Sequence, residues 1–242
     1  MAFYSTLMSL TVLAICLGMA WSAPREQRAR VADALLVGLL TALVVGRALH
    51  VVVHWAYFQD HTGEIAQLGA GGLSWQGAAW GALLGCGAAA WWRGVRWAGF
   101  FTGLALAAPL IGGAAWIGCQ QALCGHGAEV STLAEYPAWL VTEARDRFGL
   151  YAPRYNTHLL GAGAMLSVGL IMLSARRRLP PPALLGLSLS AVAICSLLLG
   201  FLRGDSVPFV GGLRADQWLD LAVALTGAGL MAAHKRLMIS SV

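Results

Sequence analysis

Seven stretches of about twenty apolar residues, at about 3–22, 32–57, 73–92, 97–118, 158–175, 183–201 and 217–234, fill most of this chain. A helix needs about 20 such residues to cross the hydrocarbon core of a bilayer. No open sheet can replace it there, because every backbone N–H and C=O must be paired within the segment. The pattern therefore predicts an all-α polytopic membrane protein with seven transmembrane helices. Charge agrees: 11% of the 242 residues are charged, less than half of the roughly one quarter usual in soluble domains. No stretch is polar enough for a separate soluble unit, so residues 1–242 are expected to form a single domain. Its longest polar segment, an extracytoplasmic arm at about 125–157, includes an amphipathic piece around Tyr136–Phe148. The first run lacks a basic leader and a small-x-small cleavage site, and is expected to be a retained helix. The second is the longest, and is expected to tilt or to end at the interface near His54–Tyr57.

Orientation follows from Lys and Arg, which favour the cytosolic side. Arg25, Arg28, Arg30, Arg93, Arg96, Arg176, Arg177, Arg178, Lys235 and Arg236, ten of the sixteen basic residues, cluster in alternate loops. The opposite side holds nine of the eleven acids, leaving only Glu26 and Asp33 inward. The alternation runs through all seven spans and predicts an N-terminus outside and a C-terminus in the cytosol. The net charge of +5 suits loops facing an anionic inner leaflet, and nucleic acid is not an expected partner.

Unusual polar residues collect on the outer side. Arg47 lies well inside the second run, where a guanidinium costs at least about 2.5–3.5 kcal/mol on insertion scales. It either snorkels to the headgroups or faces a cavity or partner. His50 and His54 share its helix face; they read as interfacial, or as a metal pair for which no third ligand is near. Gly71-Gly72-Leu73-Ser74-Trp75-Gln76-Gly77 leads into the third run, where glycines can turn N–H groups toward an anion or simply make a turn. Of five cysteines, Cys16, Cys86 and Cys195 lie in apolar runs as small core residues. Cys119 and Cys124 are compatible with a disulfide, with two buried thiols, or with a zinc site that His126 joins but that lacks a fourth ligand. Arg154 and Arg203 flank the fifth and sixth runs, and each suits either a phosphate or an acid partner such as Asp205.

In order and spacing these segments resemble the prolipoprotein diacylglyceryl transferase family of bacterial plasma-membrane enzymes. Gly46-Arg47 is similar to its Gly-Arg, and Gly71 to Gly77 to its Gly-Gly-Leu-Ser-Phe-His-Gly. Ile117-Gly118-Cys119 through Cys124-Gly125-His126-Gly127 resembles a variant Arg-Ile-Gly-Cys…Gly-Cys-Cys-Tyr-Gly run. Pro153-Arg154-Tyr155-Asn156-Thr157-His158-Leu159 resembles Pro-Arg-x-Pro-Ser-Gln-Leu, and Arg203-Gly204-Asp205 with Gly211-Gly212-Leu213 and Gln217 resembles the closing segment. The resemblance implies transfer of diacylglyceryl from phosphatidylglycerol to the lipobox cysteine of a prolipoprotein, at the outer face of the membrane, by a multi-pass monomer. Its partners are then phosphatidylglycerol, prolipoprotein signal peptides and membrane lipid, with no cofactor and no metal. Gln76, His126, His158 and Arg203 become the catalytic candidates. Arg47, Gly71, Gly72, Ser74, Gly77, Cys119, Gly127, Arg154 and Asp205 become the substrate-binding ones. This chain departs from the family in having Gln76 for His, Trp116 for Arg, and Asn156-Thr157-His158 for Pro-Ser-Gln. Gln cannot serve as a base near neutral pH, which makes a silent or repurposed lipid-binding relative the alternative. A transporter is disfavoured, because no inward acids line the helices as a proton path requires. A haem protein is disfavoured because no His pair sits mid-membrane on two helices.

The topology is tested by fusing a reporter that works only in the cytosol. Fusions within Arg176–Arg178 are expected to be active and fusions at Glu143 inactive; cytosolic activity at Glu143 overturns the seven-span topology.

Overall fold

The computed structural model describes residues 2–239, with the side chains of all of these except Ala70 and 234–239. The side chains of Lys235 and Arg236 therefore lie outside the described residues. The long helices are α1 (Ala2–Ser22), α2 (Arg28–Val53), α4 (Trp75–Arg93), α5 (Gly99–Ala122), α6 (Thr157–Ala175), α7 (Pro181–Gly200) and α8 (Ala215–Ile239), with a single turn, α3 (Trp55–Phe58), after α2. All seven long helices fall on the apolar runs. Among the described residues, those long and apolar enough to cross a membrane are α1, α5, α6, α7 and the stretch Arg25–Val53 that contains α2. α4 is built of Gly, Ala and Trp, and α8 opens with Asp216 and Asp220, which lowers the hydropathy of both.

Helix ends follow local chemistry. Ser74 caps α4, its Oγ accepting from Gly77 N at 3.3 Å, and Gly94 stops the helix in the left-handed region (φ +64°). Asn156 caps α6 by accepting from Leu159 N. α7 starts on Pro181 and Pro182, where a missing N–H costs nothing. α2 ends at Val53, at the start of the His54–Tyr57 stretch where its end is expected, because His54 leaves helical geometry (φ −106°, ψ 29°).

The chain is mostly helical, as expected, with two short hairpins in its connections. β1 (Val141–Arg145) pairs antiparallel with β2 (Tyr151–Tyr155), Val141 opposite Tyr155 and Arg145 opposite Tyr151. The piece at Tyr136–Phe148 thus runs into a hairpin. Asp146 explains it: its Oδ1 accepts from Phe148 N at 2.8 Å and Leu150 N at 3.0 Å, and Gly149 supplies φ +84°. β3 (Phe209–Val210) and β4 (Leu213–Arg214) form a second, minimal hairpin around Gly211-Gly212, both at positive φ, as a tight two-residue turn requires.

Two compact units make up the fold. One comprises 16–100 and 207–215, the other 1–15, 101–206 and 216–242. In the first, α4 lies against α2 along Gly77, Gly81 and Gly85, one residue per turn. A Cβ at these positions would strike Val45 O, Thr41 O and Thr41 Oγ1 respectively. Small side chains bring the backbones together, and Thr41 Oγ1 donates across the seam to Gly81 O at 2.7 Å. In the second unit, Ser188 Oγ donates from α7 to Ala105 O of α5 at 2.6 Å, and Ser190 Oγ to Ala224 O of α8 at 2.9 Å. Gly186 and Gly227 meet backbone to backbone beside that bond.

Gly81→Ala is expected to destabilise the protein by about 1–3 kcal/mol, the usual cost of overpacking, read as a lower midpoint of thermal unfolding in detergent. Gly87→Ala, on the same helix but with open space around it, is expected to be neutral. Equal behaviour of the two variants overturns the seam.

Candidate functional site

In the first unit the predicted residues gather around Arg47. Its side chain is 8% exposed, and its guanidinium is directed at backbone: Nε to Ile65 O (2.8 Å), Nη1 to Gly71 O (2.7 Å) and Gly72 O (2.9 Å), Nη2 to Glu64 O (2.6 Å). The ring of Phe58 lies 5.2 Å from Cζ, within cation–π range. Of the readings open in sequence, burial with a partner holds, and the partner is four carbonyl dipoles. Gly71 and Gly72 sit at φ +85° and +81°. A Cβ on Gly72 would reach Arg47 Nη1 and the His50 ring at 2.7 and 2.5 Å, so only glycine fits against the guanidinium. His50 packs against His54 (centroids 4.3 Å) and edge-on to Phe58. Ser74 joins the loop to α2 through its N–H to Gly46 O at 3.0 Å, and donates its hydroxyl to the buried Gln76 Oε1 at 2.7 Å.

In the second unit, Cys119 and Cys124 are bridged, so of the readings open in sequence the disulfide is the one present. The bridge closes the end of α5 onto a tight loop in which Leu123 and Gly125 both take positive φ. The loop carbonyls hold the start of α6: the fully buried Thr157 donates to Gly125 O at 2.7 Å, and His158 Nε2 lies 2.8 Å from Cys124 O. The chain then meets the segment after α7. Gly127 bridges Arg203 antiparallel, Gly204 N donates to His126 O at 2.9 Å, and Ala128 N to Leu202 O at 2.8 Å. A Cβ on Gly127 would strike Tyr155 O. The structure thus brings together His126, Gly127, Arg203 and Asp205, with His158 and the disulfide on the adjoining turn. Trp116 lies edge-on to His158 at 6.4 Å and fills the space beside Gly161 that a side chain there would need.

Both arginines of this unit are ion-paired. Arg203 grips Asp205 with a fork, Nε to Oδ1 at 2.8 Å and Nη2 to Oδ2 at 2.5 Å, and its Nη1 lies 3.2 Å from Asp216. Burial works against its charge, and Asp205, Asp216 and Asp220 more than offset that. Arg154, 7% exposed, pairs through Nη2 with Asp146 at 3.2 Å and Glu129 at 3.5 Å, while its buried Nε has no hydrogen-bond partner. Burial pushes the Asp146 carboxyl up. The N–H groups of Leu150 and Phe148, with Arg154 and His126, outweigh it and hold the carboxyl below its ordinary value. A cavity of about 230 Å³ opens beside His158, lined by Ile117, Gln120, Asn156, Leu159 and Ala162. Asp205 is named in sequence by its closeness to Arg203. Asp146, Glu129 and Asp216 are not, because only hairpin pairing and the α7–α8 turn carry them to their arginines.

The prolipoprotein diacylglyceryl transferase family model matches residues 1–233 of the chain. A search of curated proteins returns no match.

Alkylation of the unfolded chain without reductant is expected to label three cysteines, Cys16, Cys86 and Cys195, and after reduction all five, read by intact mass. Closing so short a loop stabilises by at most about 2–3 kcal/mol in the chain-entropy model, so reduction is expected to loosen the α5 end and leave the fold standing. Five labels before reduction overturn the bridge.

Proposed function

Since the chain belongs to the prolipoprotein diacylglyceryl transferase family, we propose that it moves diacylglyceryl from phosphatidylglycerol to the lipobox cysteine of prolipoproteins. It does so as a single-domain monomer spanning the bacterial plasma membrane seven times, N-terminus outside and C-terminus in the cytosol, with the chemistry and the arm at 125–157 on the outer face. The observation that carries this reading beyond the family match is the antiparallel bridge between Gly127 and Arg203. It sets the Cys-Gly-His-Gly run and the Arg-Gly-Asp run in register.

In the reaction, the acceptor thiol loses its proton and its sulfur attacks a glyceryl carbon of the lipid. A C–S bond forms, the C–O bond to phosphate breaks, and the electron pair leaves on glycerol phosphate. Negative charge grows on the leaving phosphate, where a positioned guanidinium is most effective. Arg203 is that group. Three of its five N–H donors are directed to Asp205 and Asp216, so two remain for phosphate oxygens. Asp205 orients it, and Arg154, whose charge is matched by Asp146, offers hydrogen-bond donors. Arg47, Gly71, Gly72, Ser74 and Gly77 shape the loop ahead of α4 on the donor's path, while Cys119 and Gly127 shape the turn beside His126. A thiol with a pKa near ~8.5 is already a few per cent thiolate at neutral pH, so Gln76 orients and a histidine, His126 or His158, takes the proton.

A second reading, a relative that binds lipid without transferring it, is favoured by one observation. Gln76 and Trp116 stand where the family has His and Arg, and Trp116 is packed against Gly161.

The test is complementation in cells depleted of their own transferase, scored by diacylglyceryl modification of a lipobox protein. The natural sequence is expected to support modification. Arg203→Gln is expected to abolish it, with a loss of about 10²–10³-fold or more, and Arg203→Lys to restore it only in part, since a point charge cannot form a fork. His126→Ala or His158→Ala, whichever removes the base, is expected to slow it by about 10²–10⁴-fold, and Gln76→His to preserve or raise it. Full activity of Arg203→Ala overturns the phosphate role. No modification by the natural sequence, with recovery only after Gln76→His and Trp116→Arg, establishes the second reading.

A further inference from the structure

The corner where α2 begins and α4 ends is not used in the transfer reaction proposed above, yet it is built around charge. The turn after α4 is tied to the start of α2: Arg96 N donates to Gln27 Oε1 at 3.1 Å, and Arg30 Nη1 reaches Gly94 O at 3.4 Å. Arg93, the last residue of α4, pairs with Asp33 of α2 at 2.5 Å, both side chains about half exposed. Arg30, Arg93 and Arg96 are thereby brought to one corner, all exposed, with Arg25 and Arg28 just ahead on the chain. The only carboxylates on these segments, Arg25–Val53 and Trp75–Ala98, are Glu26 and Asp33.

Running from this corner along the helices is a cleft of about 350 Å³ between α2 and α4, lined by Asp33, Leu36, Val37, Ala89, Trp92 and Arg93. Ala89 forms its floor at 5% exposure, and Leu36, Val37 and the 83%-exposed Trp92 form its walls. The cleft exists because α4 carries only small residues toward α2 at this level, so nothing from α4 fills the space beside Val37. Its walls are aliphatic and aromatic, and its rim is the Arg93–Asp33 pair, beside which Arg30 and Arg96 add positive charge. A soluble anion would satisfy the rim and leave the walls unused. A neutral lipid would cover the walls and leave the rim arginines with water. An acyl chain joined to an anionic headgroup matches both.

We propose that this cleft binds one anionic phospholipid from the leaflet that bathes this end of α2 and α4. The acyl chain lies against Leu36, Val37 and Ala89 with the Trp92 ring along its edge, and the net negative headgroup is held by Arg30, Arg93 and Arg96. Basic pockets between membrane helices hold anionic headgroups in this way, and the guanidinium fork suits phosphate oxygens. The proposal is independent of catalysis.

Native mass spectrometry of the purified protein, titrated with dioleoyl phosphatidylserine or dioleoyl phosphatidylcholine, tests it. The serine lipid is chosen because it is anionic and is not the proposed donor of the transfer reaction. The natural protein is expected to retain the serine lipid over the choline lipid by about fivefold or more, and Arg30→Gln with Arg96→Gln is expected to remove that preference. Val37→Trp, which fills the cleft and leaves every charge in place, is expected to reduce retention as well, so that a loosened α4–α5 turn in the charge variant does not decide the outcome. Equal retention of the two lipids by the natural protein, or a preference that survives both cleft variants, overturns the site.

Discussion

Hydrocarbon offers a peptide no hydrogen-bond partner, so whatever crosses it must pair its own N–H and C=O groups. The long helices of this chain meet that demand, and irregular backbone is displaced to their ends. The displacement concentrates chemistry. The positive-φ glycines at 71, 72, 125, 211 and 212, both hairpins and the disulfide all lie in connections, where backbone groups can turn toward side chains. Apolar runs thus decide both where the helices are and where a site can be.

The same scarcity of water governs the arginines. A guanidinium near the slab has to bring its own solvation, and the three singled out in sequence do so in different ways. Arg47 is surrounded by carbonyl dipoles, which solvate the cation without cancelling it. Arg154 is matched by the buried Asp146, and Arg203 faces two carboxylates. Near Arg203 the formal charges of the pair partners exceed that of the arginine. An anion arriving there meets an oriented donor with a net negative formal charge behind it, so orientation and not long-range field has to hold it.

The helical frame was legible because hydrophobic periodicity and length are local properties. Each apolar run carries a long helix, although some ends lie several residues from the run's: α2 begins at Arg28 and stops at Val53, and α5 continues to Ala122. The hairpin at 141–155 was not legible. Its strands are five residues each, one contains Pro153, and the turn depends on Asp146 accepting two N–H bonds that no composition reveals. The partners of Arg47 were hidden for a related reason: they are carbonyls, which every residue has, and their identity rests on loop shape. The disulfide stayed open in sequence because a spacing of five admits bridge and free thiols alike. Glu129, Asp146 and Asp216 were invisible as partners because pairing across turns brings them to their arginines.

The loop between α3 and α4 has a further consequence for assembly. Its own backbone bonds are short-range, such as Glu64 N to His61 O, Ile65 N to Thr62 O and Gly71 N to Leu68 O, and turns of that kind do not fix a path. Its course is set by one side chain that takes carbonyls from both ends of the 64–72 stretch and draws them to a single point on α2. The loop therefore has no defined shape until the turn bearing Arg47 is helical and sits at its depth in the bilayer. During biogenesis its ordering is a late event, downstream of insertion. A ribosome-arrested chain that ends before α4 would leave this stretch without a fixed course, and the finished protein holds it in one although most of it stays exposed.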